Sequence, residues 1–208
     1  MEQATYHHGD LRNSLVSIAT EMLNLKGVAG ISLREIARII GVGHNAPYRH
    51  FSNKQELLEA ISEEGFRRLK AKNTRLELEY AGDPEAQIFE SAMHVISMAA
   101  EQPDLFQLMF GGHIQPQSKS EALQKAAEEA LESVVGIIKS GQKQEVFIPG
   151  DPMKLALSSM SMIQGLANMV SSGRLKANAK ASSWTDHQML LRGMVLQLFD
   201  VFLRGLKL

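Results

Sequence analysis

Residues 32–54 read SLREIARIIGVGHNAPYRHFSNK, from Ser32 to Lys54, and this stretch decides the fold. Ser32 and Glu35 are spaced as a capping box, in which each side chain satisfies a free backbone N–H at a helix start. Leu33, Ile36, Ala37 and Ile40 recur at i, i+3, i+4 and i+7, so they share one apolar face. Gly41-Val42-Gly43 then breaks the helix with a residue that tolerates positive φ. The segment that follows carries His44, Asn45, Tyr48, Arg49 and His50 and reads as a second helix, short, polar and cationic. A helix, a tight turn and a second helix rich in hydrogen-bonding side chains match the helix-turn-helix geometry that fits a major groove. DNA binding is the expectation.

Composition bounds the alternatives. The chain has 208 residues, an apolar fraction of 44% and no cysteine, so it can build a sizeable core but no disulfide, zinc finger or thiol nucleophile. MEQATYHHGD lacks the charged start and apolar run of a signal peptide. Arg192, Asp200 and Arg204 interrupt or flank the apolar run from Met189 to Leu203, which predicts a buried helix, not a membrane span. A cytoplasmic location is the expectation. The net charge of −1 argues against a protein that coats DNA non-specifically. Through Lys54, however, Arg12, Lys26, Arg34, Arg38, Arg49 and Lys54 outnumber Glu2, Asp10, Glu21 and Glu35, and His7, His8, His44 and His50 lie there too. A locally cationic module on a neutral chain suits a sequence-specific binder.

Helical signals continue along the chain. A first helix is expected from about Asp10 to Lys26, stopped by Gly27. Ser52 or Asn53 caps a long fourth helix reaching Ala81-Gly82; Gln55 and Glu56 complete the two competing caps. Asp83-Pro84 opens a fifth helix, Pro103 a sixth that ends at Gly111-Gly112, and Ser120 a seventh through Gln142. Asp151-Pro152 opens an eighth ending before Gly173. Residues 174–183 read as a loop, and a ninth helix covers roughly Thr185 to Leu206. VFIP at Val146 to Pro149 is too short for a strand. The fold class is all-α, with a helix-turn-helix domain at 1–54 and a larger helical domain at 55–208.

YHHGDLRNSLVSIATEML, followed by SLREIARIIGVGHNAPYRHFSNKQELLEAISEEGF, resembles the N-terminal DNA-binding domain of the TetR family of repressors from Tyr6 to about Phe66. The shared marks are the capping box, the turn glycine, Y-x-H-F at Tyr48 to Phe51 and Lys54. PDLFQLMFGG at Pro103 to Gly112 is similar to a branch with a Trp-His-Gly signature in its C-terminal domain. The signature is degraded here: Gln164-Gly165 stands at its histidine and glycine, with no tryptophan before them, so no role for that histidine carries over. Gly43 also replaces the serine that commonly caps the recognition helix in the family.

Ser32, Arg34, His44, Asn45, Tyr48, Arg49, His50 and Lys54 are the candidate DNA-binding residues. Tyr48, His50 and Lys54 can reach phosphates near a helix N-terminus, and the resemblance implies the same role. The bland alternative packs Tyr48 on the first helix and leaves Lys54 as a solvated cap. Asn45 can pair with adenine N6 and N7 or serve as a turn residue. Arg49 can read guanine or bind phosphate, and Phe51 reads as core.

Nine of the eleven methionines lie from Met93 onward. Such residues fill irregular space, in ordinary cores as in adaptable pockets. Met93, Ile96, Phe106, Met109, Phe110 and Met160 are the candidate lining of an effector pocket. His94, His113 and Gln164 are its polar anchors, since ligand sites need a few polar groups among apolar ones. The ninth helix is apolar around nearly its whole circumference and must be buried on all sides. Leu191, Leu198, Phe199 and Phe202, with Met162 and Met169 on the eighth, are candidates for a homodimer interface; small residues Ser158, Ser161 and Gly165 permit close approach.

The resemblance implies a dimeric, ligand-responsive repressor acting on a palindromic operator through a small-molecule effector. No cofactor, metal site or membrane association is expected. An all-α enzyme would need a convergent catalytic constellation, and none is visible in the sequence. A DNA-binding or partner-recruiting protein of the same fold without an effector is the alternative; a body packed without a cavity would favour it.

Overall fold

A computed structural model describes residues 11–112, 120–175 and 184–206. Among these residues there are eight α-helices and no strand: α1 (Leu11–Lys26), α2 (Leu33–Ile40), α3 (Lys54–Glu79), α4 (Pro84–Glu101), α5 (Pro103–Phe110), α6 (Glu121–Lys143), α7 (Pro152–Ser171) and α8 (Trp184–Leu206). Val28–Gly30 and Pro47–Arg49 are single 3₁₀ turns.

Local chemistry explains the boundaries. Asn53, not Ser52, caps α3: its Oδ1 accepts from Glu56 N at 3.0 Å, and the Glu56 carboxylate accepts from Ser52 N at 2.7 Å. Asp83 and Asp151 cap α4 and α7 immediately before Pro84 and Pro152. At α2 the box forms by half. Ser32 Oγ accepts from Glu35 N at 3.5 Å, while the Glu35 carboxylate turns to Lys26 Nζ at 2.8 Å and ties α2 to the end of α1. The Lys26 ammonium, by hydrogen bond and charge, holds the Glu35 carboxyl below its ordinary pKa. Gly41 takes φ 79°, which lets Val42 N donate back to Ala37 O at 3.0 Å and close the helix.

One expected element differs. The recognition segment is not an α-helix from His44 to His50. Gly43, His44, Asn45 and Ala46 form a turn closed by Ala46 N donating to Gly43 O at 2.8 Å, and Pro47–Arg49 adds one 3₁₀ turn. Gly43 offers no capping hydroxyl, and Pro47 has no N–H with which to continue an i→i−4 ladder.

Two hydrophobic clusters organise the chain. The first joins α1, α2 and the opening turns of α3 through Leu15, Leu23, Ile36, Phe51, Leu57 and Ile61. The second lies among α4, α6, α7 and α8 around Ile96, Phe106, Ile137, Ile138, Ala167 and Val195. Helix α5 belongs to both: Leu105 and Leu108 enter the first cluster, Phe106 the second. Helix α3 leaves the head (residues 11–53) and packs along α6 in the body.

Candidate functional site

The head presents a polar surface on an apolar support. Arg34, His44, Asn45, Tyr48, Arg49 and His50 are exposed, whereas Pro47 and Phe51 are buried beneath them. Ser32 is spent on its cap. Lys54, in the first turn of α3, is half-buried with Nζ 3.4 Å from Ala29 O, which ties it to the α1–α2 connection. Arg12 lies 5.5 Å from the Phe51 ring centroid and 3.4 Å from the buried carboxylate of Glu63, which also pairs with Arg67. This bridge fixes α1 and Phe51 against α3. The seven-residue run His44–His50 is therefore held from behind by packing and shows its donors outward.

In the body, α3, α4, α5, α6, α7 and α8 surround an apolar cavity of about 70 Å³. Its walls include Phe66 and Leu69 of α3, Ile88 and Val95 of α4, Phe110, Leu131 and Val134 of α6, Met160 and Ile163 of α7, and Phe199. Four polar side chains interrupt them: Asn73, Ser91, Ser159 and Gln164. No hydrogen bond satisfies the Gln164 amide among the described residues.

Of the residues proposed from sequence, Phe110, Met160 and Gln164 line this cavity. Met93, Ile96 and Phe106 are buried in the surrounding core; Phe106 supports Phe110 at 5.1 Å between ring centroids. Met109 turns the other way and packs against the head cluster and Gly65, where a Cβ would meet its sulfur. His94 lies outside the lining; burial, then the nearby Lys72 charge, depress its pKa. His113 is outside the described residues. Asn73 was missed, although a polar residue between Leu69 and Leu76 on the buried stripe of α3 was a usable signal.

Helix α8 has two faces. Leu191, Val195 and Phe199 are buried within the chain, with Phe199 edge-on to Phe89 at 5.5 Å. Arg192 secures the contact by an ion pair to Glu90 at 2.8 Å and by lying over Phe89. Leu191 and Phe199, expected at a dimer interface, are instead covered within the chain, because the i, i+4, i+8 stripe faces α4. Met189, Leu190, Leu196 and Val201 stay exposed, as do Met153, Leu157 and Met169 on α7. Met162 and Leu198 are half-buried, and the Phe202 side chain is outside the described residues. Ser161 and Gly165 of α7 and Gly193 of α8 are small and exposed, and the two glycines have open space in front of them.

A head that offers a short polar segment outward, on a helical body with an apolar cavity, defines a helix-turn-helix transcriptional regulator as the class. The profile of bacterial regulatory proteins of the tetR family matches residues 15–61, and that of the tetracyclin repressor-like C-terminal domain matches residues 88–190. The chain belongs to the TetR family of transcriptional regulators. It is 35% identical over 92 residues to the HTH-type transcriptional regulator AcrR of Shigella flexneri, covering 42% of this chain and 40% of that protein. The match therefore spans about two fifths of that relative's length. A protein of unknown function from Rhodococcus sp. RHA1 superposes with a TM-score of 0.81 at 32% identity, over 99% of this chain and 100% of the other. AibR, solved with isovaleryl coenzyme A and operator DNA, shares the fold with a TM-score of 0.59 at 20% identity, over 90% of this chain and 97% of AibR. Among the described residues no helix is long and apolar enough to cross a membrane.

Proposed function

We propose that the protein is a dimeric repressor that leaves its operator when a small apolar molecule enters the body cavity. The observation that carries this reading is the course of α3. Its first turn holds Lys54 beside the reading segment, and three to five turns later Phe66, Leu69 and Asn73 form one wall of the cavity. The free volume of about 70 Å³ is small, so a ligand of ordinary size must push the walls apart, α3 included. Helix α5 adds a second route. Gln107 Nε2 donates to Asn168 Oδ1 at 3.2 Å and to Ser171 Oγ at 2.7 Å on α7, while Leu105 and Leu108 sit in the head core.

The functional division falls at Lys54, with residues 1–54 reading DNA and 55–208 sensing and pairing. Burying an exposed Leu or Met is worth about 1.5–3 kcal/mol, and the open face of α7 and α8 offers several. Paired with the same face of a second copy, it makes a four-helix interface about a twofold axis. The dimer would place two heads on half-sites about 34–36 Å apart. AibR's complexes with an acyl-coenzyme A and with operator DNA support both roles on this fold.

Selection of DNA from a random pool tests the reading. A twofold-symmetric site with half-sites on one face of the duplex is the expected product. A pool with no enriched sequence would contradict it.

A further inference from the structure

Helix α3 passes from one core to the other over little more than one turn. Ile61 is its last residue in the head core, and Phe66 its first on the cavity wall. The stretch between them begins with Ser62 and ends with Gly65, and helices bend most readily at such serine and glycine positions. Ser62 is 1% exposed, and its hydroxyl has no hydrogen-bond partner among the described residues. Gly65 leaves the space that Met109 of α5 occupies, since a Cβ there would meet the Met109 sulfur. Neither residue stiffens the helix. Glycine is the weakest helix former after proline, and a serine hydroxyl competes for nearby backbone groups.

One side chain braces this stretch. Glu63 is 3% exposed, and its two carboxylate oxygens are divided. Oε2 lies 3.4 Å from the Arg12 guanidinium of α1, and Oε1 pairs with Arg67 one turn further along α3. Arg12 lies over the Phe51 ring in the head, whereas Arg67 is the neighbour of the cavity residue Phe66. The carboxylate therefore spans the junction from head to cavity wall. A buried charge deprived of one partner is costly, so the brace resists bending while both guanidinium groups stay in place. Beside it the head has room to swing. A groove of about 330 Å³ opens between Arg12, His50 and Phe51 on one side and Ser120 and Ala122 at the start of α6 on the other.

We propose that Glu63 is a positioning residue for the head: residues 62–65 are a hinge within α3, and the Arg12–Glu63–Arg67 brace locks it so that α3 moves as one lever. This deepens the repressor reading and rests on it in the DNA-binding experiments alone.

Hydrogen exchange on the full chain tests the hinge without DNA. Glu63→Gln keeps the shape and removes the charge. It should speed exchange at the amides of residues 63–69 about tenfold, the scale of one lost charge-assisted contact, while α1 and α6 keep their wild-type rates. No acceleration there, or one spread evenly over the head, would overturn the proposal. Operator binding reads the consequence. One base pair inserted between the half-sites rotates one of them by about a tenth of a turn. The wild-type protein should bind that lengthened site far more weakly, and Glu63→Gln should narrow the difference, a ratio that lost stability alone does not move. Arg12→Lys keeps the charge without the planar fork, so it should act in the same direction more weakly, and it stands in should Glu63→Gln not fold. A spacing ratio equal to wild type in both variants would overturn the brace. Saturating phenol, a small uncharged aromatic probe of the cavity, should weaken operator binding by Glu63→Gln less than by wild type, because the hinge absorbs the push. An equal loss would overturn the lever. Phenol without effect on the wild-type protein, or a selected site without twofold symmetry, would count against the repressor reading, and the exchange rates would still decide the hinge.

Discussion

The head and the body are built from the same kind of helix yet packed to different ends. In the head, Leu15, Ala19, Leu23, Ile36 and Leu57 are wholly buried, and a buried Glu63 ties α1 to α3 through Arg12. In the body, Ala92, Ala127 and Ala130 line space that larger residues would have filled, and Asn73 lies beside it. A reading surface must keep its donors in register, which needs a stiff support. A sensor must be able to change shape, which needs room. Helix α3 joins the two, so a strain applied at Phe66 or Asn73 has a continuous path to Lys54.

The sharpest way to break this comparison is to truncate each core. Phe106→Ala in the body should cost about 3–5 kcal/mol of stability and Leu15→Ala in the head about 2–5 kcal/mol, read by denaturant unfolding. Filling separates the regions better. Ala19→Leu should overpack the head and destabilise by about 1–3 kcal/mol, whereas Ala92→Leu should be tolerated because its side chain enters the cavity. Equal penalties would remove the distinction.

The exposed face of α7 and α8 supplies the next test. Leu157→Asp with Leu190→Asp should yield monomers in sedimentation and weaken operator binding, because two heads are no longer held together. A folded double variant that stays dimeric would move the interface elsewhere. Within the head, Asn45→Ala should relax preference at one or two operator positions by about 1–3 kcal/mol. Lys54→Ala should reduce the salt slope of binding by about 0.9 without changing sequence preference. A uniform loss at all bases for Asn45, or an unchanged slope for Lys54, would reassign those residues to support.

The smallest effect concerns pH. Burial depresses the His94 pKa in the folded state, so the unfolded chain binds its proton first as pH falls. The associated stability is fully present above the ordinary histidine value, near 6.5, and is lost as pH falls from there toward the depressed folded value. His94→Gln should flatten the melting temperature between about pH 7 and pH 5. An identical pH profile would show that His94 is solvated.

The legibility of the sequence followed the range of the interactions. Caps, glycine stops and prolines act within four residues, and Asn53, Gly41, Pro84 and Pro152 set helix ends where their chemistry requires. The helix expected over His44 to His50 fails because Pro47 has no N–H to donate and Gly43 no hydroxyl to cap, and the α2 box forms by half because Lys26 takes the Glu35 carboxylate. The exposed polar residues of the head were readable because they stand on a short motif. The cavity was not, since its walls come from six helices and depend on which way each side chain turns. Phe106 and Met109, three residues apart on α5, enter different cores. Phe199, apolar like its neighbours on α8 and expected at the interface, lines the cavity instead. The resemblance implied a pocket in the body, where an apolar cavity lies, but could not supply that rotation.

Operator affinity measured with and without phenol tests the coupling of cavity to head most directly, using the DNA site recovered by selection. For the wild-type protein, phenol at concentrations that calorimetry shows to be saturating should weaken operator binding by about 5–150-fold, the usual span of such coupling. Ala92→Leu, with the cavity filled, should bind the operator equally well and ignore phenol. Phenol bound in the cavity with operator affinity unchanged would contradict the account, because occupancy of the body would then have no hold on the head.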